Sequence, residues 1–447
     1  MQRAMRLKWR PSRLPEGFLG LAVTEYWERF ALAGIKSLLT LVLIDHILAG
    51  DRSGVLGAAA AQAALEPLVG ALSTAGLASQ IYGLANALLY LSVPIGGLIG
   101  DRLSGRRGAV YIGGLAMIAG LALMLGRPTF LPGLALFAMG AGTLKGNLSA
   151  VVGALFADEG ERRRGFALYL GFLNAGVMCG PLICGALAVL VGWQWGVAAA
   201  AAAIATGLVG YHRAVRSHPR REFEVPDKPS AGANGKGDIP LLAAVLLAVY
   251  LCFGAYEQVG NMFLVWARAE ADLGRLPVPW LFALDGLFTL ALIPLAQIGL
   301  RALAQRGIAV GALAQIALGC CACAIGNLIL AMAEWGGEGP VPLAAPIGYL
   351  LFLDLAIVLV WPAGISLVTA NAPARQIGLW VGFFYLHGLF ANLWVGFGGA
   401  WYERMAHANF WLLHAAIAGA GAGIALLAGL ARRRARWRDY GAITTSA

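Results

Sequence analysis

Residues 17–47 read GFLGLAVTEYWERFALAGIKSLLTLVLIDHI. The run is mostly apolar and longer than the roughly 20 residues an α-helix needs to cross a bilayer. Yet it carries Glu25, Glu28, Arg29 and Lys36 in its interior, which sets it apart from the roughly 7–15-residue apolar core of a cleavable leader. At about 100° per residue, Arg29, Lys36 and Glu28 fall roughly 40°, 20° and −60° from Glu25, on one face roughly 100° wide. A charge exposed to hydrocarbon costs at least about 2.5–3.5 kcal/mol, so that face looks into a helix bundle or a wet cavity.

The rest of the chain has the same character. Of 447 residues, 59% are apolar and 13% charged, with a mean hydropathy of +0.73. Soluble domains carry about 45–50% apolar and 25% charged residues. A soluble enzyme, a collagen-like chain and a disordered chain are excluded. Long apolar runs fall at 17–47, 77–99, 108–126, 130–156, 165–187, 194–212, 239–267, 279–302, 308–333, 343–370, 376–402 and 408–431. The fold class they predict is all-α integral membrane, with twelve transmembrane helices in two six-helix bundles.

The polar linker 213–238 separates an N-terminal bundle, 1–212, from a C-terminal bundle and basic tail, 239–447. Of the 33 Lys and Arg residues, 25 lie before span 1, after even-numbered spans or in the tail. Five lie on the opposite side, and Arg29, Lys36 and Lys145 lie within spans. Because basic loops stay cytoplasmic, both termini are expected in the cytoplasm, in a multi-pass protein of the cell (inner) membrane. This asymmetry accounts for the net charge of +10 without a nucleic-acid partner. The arginines of 432–438 suit anionic membrane lipids.

Glu257, Asp285 and Asp354 join Glu25, Glu28, Arg29, Lys36 and Lys145 as ionisable groups inside spans. Such groups point to function by default. Two six-helix bundles with a charged midplane suggest a transporter. The six cysteines sit in apolar runs without metal-ligand spacing and read as packing residues.

Several segments carry a family resemblance. Glu25-Tyr-Trp-Glu28-Arg29-Phe30, with Gly34 four residues on, resembles the E-x-x-E-R-F-x-Y-Y-G motif of the proton-dependent oligopeptide transporters, a branch of the major facilitator superfamily. Leu77–Tyr82, Tyr90–Pro94 and the Gly97-to-Arg107 loop resemble that family's helix 2 and following loop. Gly142-Thr-Leu-Lys145-Gly-Asn147 resembles its helix 4, and Asn174-Ala-Gly176 with Gly180-Pro181 its helix 5. Tyr256-Glu257-Gln258-x-Gly260 resembles the helix 7 F-E-Q-x-G, and Gly364–Thr369 through Arg375 the end of helix 10.

The resemblance implies a proton-coupled symporter importing di- or tripeptides or related small molecules by alternating access. It implies that Glu25, Glu28, Arg29, Lys145 and Glu257 couple protons, with Lys145 switching between the helix 1 acids and the substrate. Lys36, Tyr90, Asn174, Asp285 and Asp354 are then candidate substrate contacts, and Asp101 and Arg102 belong to a gating loop. Neither a catalytic residue, a metal site nor an organic cofactor is expected, the energy source being the proton gradient.

The pattern breaks where cargo is chosen. The Tyr-Tyr of the helix 1 motif is Leu32-Ala33, and the proline after the helix 4 lysine is Gly146. The helix 5 Tyr-Met-Gly is Leu170-Gly171-Phe172, with Tyr169 the nearest tyrosine. The helix 10 glutamate aligns with Ile357, leaving Asp354 or Asp285 to supply negative charge. Transport of non-peptide or drug-like cargo is the alternative, as is a non-transporting ligand receptor. An intramembrane enzyme would need a nucleophile or metal constellation, and His387 stands alone on its span.

Overall fold

The computed structural model describes residues 14–156, 159–216, 237–336, 339–373 and 376–445. In chain order its helices are α1 Phe18–Val42, α2 Ala58–Val69, α3 Thr74–Ile99, α4 Gly105–Met124, α5 Phe130–Ala154, α6 Glu159–Leu190, α7 Trp193–Arg216 and α8 Ile239–Tyr256. They continue with α9 Met262–Glu270, α10 Pro279–Gln305, α11 Ala312–Trp335, α12 Ala344–Asn371, α13 Ile377–Tyr385, α14 His387–Gly399 and α15 His407–Thr445. Among the described residues the sole β-pairing is a bridge between Ala271 and Val341.

Among the described residues, eleven continuous helical stretches are long and apolar enough to cross a membrane. One of them, Thr74–Met124, has 51 residues, more than twice what one crossing needs. It turns back after the π-helical segment Gly100–Ser104, at Gly105, whose φ of +69° is open to glycine at little cost. Counting α3 and α4 separately gives the twelve crossings read from the sequence. We call the end where α1 finishes the Asp45 face, and the end where α3 finishes the Asp101 face.

Four details differ from the sequence reading. The seventh crossing is not one helix: α8 gives way to a 3-10 turn, Glu257–Gly260, before α9 starts. Asn261, at φ −121° and ψ −106°, anchors the break with side-chain bonds: its Nδ2 donates to Ser79 Oγ at 2.6 Å and its Oδ1 accepts from Thr40 at 2.9 Å. Non-helical backbone at this depth survives only when buried against protein. The eleventh crossing likewise divides into α13 and α14 at Leu386. A twelve-residue helix, α2, occupies what reads as loop; its Ala58–Ala61 run favours helix, and at about 18 Å it cannot span. Finally, α6 starts at Glu159 and α15 runs to Thr445, well beyond the apolar runs. Most of linker 213–238, the basic residues up to Arg13, and Arg375 lie outside the described residues.

Buried apolar side chains form two clusters. One runs from Phe18 to Val215 and takes in Val395 of α14 and Ala400 just beyond it; the other runs from Leu241 to Ala425 and takes in Ala33 of α1. Small residues set how closely helices approach inside the first. A Cβ at Gly176 or Gly180 of α6 would run into the Tyr26 or Phe30 carbonyl of α1, and one at Gly146 of α5 would stand 2.7 Å from Val93 O of α3. These contacts bring α1, α3, α5 and α6 together around their polar side chains.

Gly180→Val is expected to lower stability by about 1–3 kcal/mol through overpacking. Gly171→Val on the same helix meets open space and costs much less. Denaturation in detergent checks this; equal losses would contradict the close approach of α1 and α6.

Candidate functional site

The charged face of α1 is buried. Glu25 and Glu28 are each 1% exposed. Arg29 Nε donates to Glu25 Oε1 at 2.8 Å and lies 3.2 Å from Glu28 Oε2. Tyr169, from α6, donates its hydroxyl to Glu25 Oε2 at 2.6 Å. Glu25 is thus held on both oxygens. Neither oxygen of Glu28 receives a well-aligned hydrogen bond among the described residues.

Lys145 approaches from α5. Its Nζ lies over the Tyr90 ring, 5.3 Å from the centroid, in the field of Glu28, Glu25 and Arg29. It makes no ion pair within 4 Å among the described residues. The α1 cluster and Lys145 together hold two carboxylates and two cations.

Two turns along α1, Lys36 crosses to the other apolar cluster. Its Nζ bonds Glu257 Oε2 at 3.1 Å, with side chains 22% and 6% exposed. The 3-10 turn brings Glu257 to this position, and Tyr82 and Tyr90 stand around the ammonium. Tyr256 donates to Asp285 Oδ1 at 2.5 Å. Asp285 and Asp354 are close enough for a hydrogen bond between their carboxyls. Thr289 donates to Asp354 Oδ1 at 2.9 Å, while Asp354 Oδ2 is buried without a partner.

The other candidate residues are placed as follows. Asn174 is buried and donates to Leu170 O on its own helix at 3.0 Å. Tyr90 also faces His387, ring centroids 6.3 Å apart. Asp101 pairs with Arg106 at 3.0 Å, a contact confined to its own turn, and Arg102 is exposed. Leu32 and Ala33 are buried, one in each apolar cluster.

The polar bonds between the clusters gather from midplane to the Asp45 face. Arg268 meets Asp45 at 2.5 Å. Arg404 donates to Val69 O at 2.6 Å and to Ala71 O. Gln80 donates to Gly396 O at 2.9 Å, and Trp280 to Leu182 O at 3.0 Å. These bonds close the molecule toward the Asp45 side.

A membrane-spanning helical chain with charges concentrated between two clusters agrees with a direct comparison: the profile of the Major Facilitator Superfamily matches residues 41–393. The chain belongs to that superfamily. A di-/tripeptide transporter of Lactococcus lactis is 31% identical over 54% of this chain and 46% of its own length. The chain therefore spans about half the length of that relative. A peptide transporter of Yersinia enterocolitica is 26% identical over 86% of this chain and 87% of its own.

Solved structures agree in fold. A variant of the peptide transporter POT in complex with alafosfalin superposes with a TM-score of 0.80, at 20% identity over 94% and 95% of the two chains. A POT family transporter in complex with 5-aminolevulinic acid superposes with a TM-score of 0.76, at 16% identity over 92% and 96% of the two chains. The two curated relatives carry peptide-transporter names, in line with the resemblance read from the motifs.

In this member of the superfamily, the sequence identified the charged residues but not all their partners. Tyr256, Thr289 and Tyr82 are uncharged, and ordinary in apolar helices. Asp45 and Arg268 lie at span ends where charges are unremarkable, 223 positions apart. No periodicity could have joined them.

Lys36→Met strands the Glu257 carboxylate and is expected to destabilise the protein by about 3–5 kcal/mol. Adding Glu257→Leu removes the stranded charge and recovers most of the loss. Chemical denaturation of the two single variants and the double checks this. A double variant as weak as the sum of the singles would contradict the pairing.

Proposed function

We propose that the chain is a proton-coupled symporter carrying di- or tripeptides, or small molecules of similar charge, into the cytoplasm by alternating access. The observation that carries this reading is the buried Glu25–Glu28–Arg29 cluster beside Lys145, which is without an ion pair among the described residues. A proton on Glu28 weakens its hold on Arg29 and Lys145, and the freed cations take the cargo carboxylate. A proton on Glu257 releases Lys36 and with it a link between the bundles. Asp285 and Asp354 receive the cargo's ammonium end, with Tyr90 and Asn174 beside the path. Superfamily and fold point to a transporter rather than an enzyme.

The moving bodies are the N-terminal bundle, 1–212, and the C-terminal bundle, 239–447, joined by the linker 213–238. The distribution of basic residues supports a cytoplasmic Asp101 face and two cytoplasmic termini, in the cell inner membrane. In that orientation the closed Asp45 side is the outside, and the Asp101–Arg102 loop acts at the inner end.

A second reading, non-peptide cargo on the same coupling machinery, is favoured by Ile357 in place of the family's helix 10 acid and by the apolar Leu32-Ala33. The structural relatives bound to alafosfalin and 5-aminolevulinic acid suggest probes for it.

Labelled dialanine uptake into proteoliposomes tests the proposal. Wild type should accumulate it only with an inward proton gradient, and Lys145→Ala and Glu28→Gln should reduce accumulation by about tenfold or more, at least about 1.4 kcal/mol in transition-state terms. Gradient-driven uptake of 5-aminolevulinic acid without dialanine would select the second reading. Binding without uptake of any probe would make the chain a receptor.

Asp354→Asn should raise the KM for dialanine about tenfold while sparing N-acetylated dialanine, which has no ammonium. Competition uptake checks this, and equal losses for both would remove Asp354 from cargo binding.

A further inference from the structure

A second group of titratable side chains lies apart from the transport path, at the Asp45 face of the C-terminal half. Glu270 closes α9, Glu334 lies one residue before the end of α11, and His407 opens α15. One ligand atom from each lies within 4.8 Å of the other two. His407 Nδ1 is 3.5 Å from Glu270 Oε1 and 4.0 Å from Glu334 Oε2. Two ligand atoms bound to a tetrahedral zinc-class ion at its usual bond lengths lie about 3.3 Å apart, so the trio needs only small side-chain adjustments to close on an ion.

The surroundings are built as a metal's outer shell is built. Trp266 donates its indole N–H to Glu334 Oε1, which leaves Oε2 turned toward His407. The backbone of Glu270 is pinned, its carbonyl accepting from Val341 N at 2.7 Å. The Tyr402 ring stacks on the imidazole of His407, centroids 4.4 Å apart and planes within 10°. Tyr402 is only 3% exposed and its hydroxyl has no hydrogen-bond partner among the described residues. That hydroxyl lies in the electrostatic field of Glu334, Glu270 and Glu403. A buried hydroxyl left unpaired is costly, and a water on a bound ion would satisfy it. An open cleft of about 650 Å³, lined by Arg268, Glu270 and Asp272, borders the Glu270 side.

We infer that Glu270, Glu334 and His407 form a binding site for a zinc-class divalent cation, with a fourth position left for water. One imidazole and two carboxylates suit this class, and three protein ligands with an open position are a familiar arrangement. The ion ties α9, α11 and α15 together beside Arg268 and Arg404, the two arginines that reach across to the other half. It thereby stiffens the platform on which the Asp45-face contacts rest.

Cobalt(II) titration of the purified full chain, carrying no polyhistidine tag and stripped with chelator, tests the site. The expected result is one saturable visible-absorbing complex per chain, displaced by zinc and absent in His407→Ala and Glu334→Gln. Glu270→Gln keeps the side-chain volume, so its loss of binding with an unchanged melting curve separates ligation from misfolding. Tyr402→Phe should weaken binding about tenfold, as removal of outer-shell partners does. No saturable complex, or a complex that survives in all three ligand variants, would overturn the site. The readout is binding, so its failure leaves the transport proposal untouched, and the reverse holds too.

Discussion

Charge neutrality in a buried place is the constraint on which the rest of this molecule depends. Breaking a buried ion pair costs about 3–5 kcal/mol, because it leaves a lone charge away from water. Glu25, Glu28, Arg29 and Lys145 balance in formal charge, and Lys36 balances Glu257. Under the proposed function, a cargo carboxylate entering the first group adds one negative charge, which a proton on Glu28 compensates. At the other end, Asp285 and Asp354 are the carboxyls proposed to meet the cargo's ammonium. In that proposal, proton coupling follows from electrostatics, with no special device.

Close helix packing makes that balance possible. Glycines at 176 and 180 let α6 lie against α1, within reach for Tyr169 to hold Glu25. Gly142 and Gly146 let α5 approach α3, which sets Lys145 over Tyr90. The broken seventh crossing has a complementary role: the turn at Glu257–Gly260 places an acid opposite Lys36, and Asn261 satisfies buried polar groups from the other half. The same residues that interrupt the helix therefore connect the two halves.

Much of this was legible in the sequence. Twelve apolar runs, the charged face of α1 and the intramembrane acids all stand out against a hydrocarbon background, where any charge is conspicuous. The helix breaks at Glu257 and Leu386 were not legible, because apolar periodicity continues through them while the compensating partners come from elsewhere in the chain. Helix α2 was missed because its alanines bury little and give no crossing signal. The Glu270, Glu334 and His407 group was missed for another reason: each residue sits at a span end, where polar side chains are expected, and only the fold brings the three together.

The account stands or falls on whether a proton accompanies the cargo carboxylate. Proteoliposomes loaded with a pH-sensitive dye and clamped at constant membrane potential, given dialanine from outside, report this directly. The account predicts interior acidification that scales with dialanine uptake. Dialanine entry with no change of interior pH would contradict it.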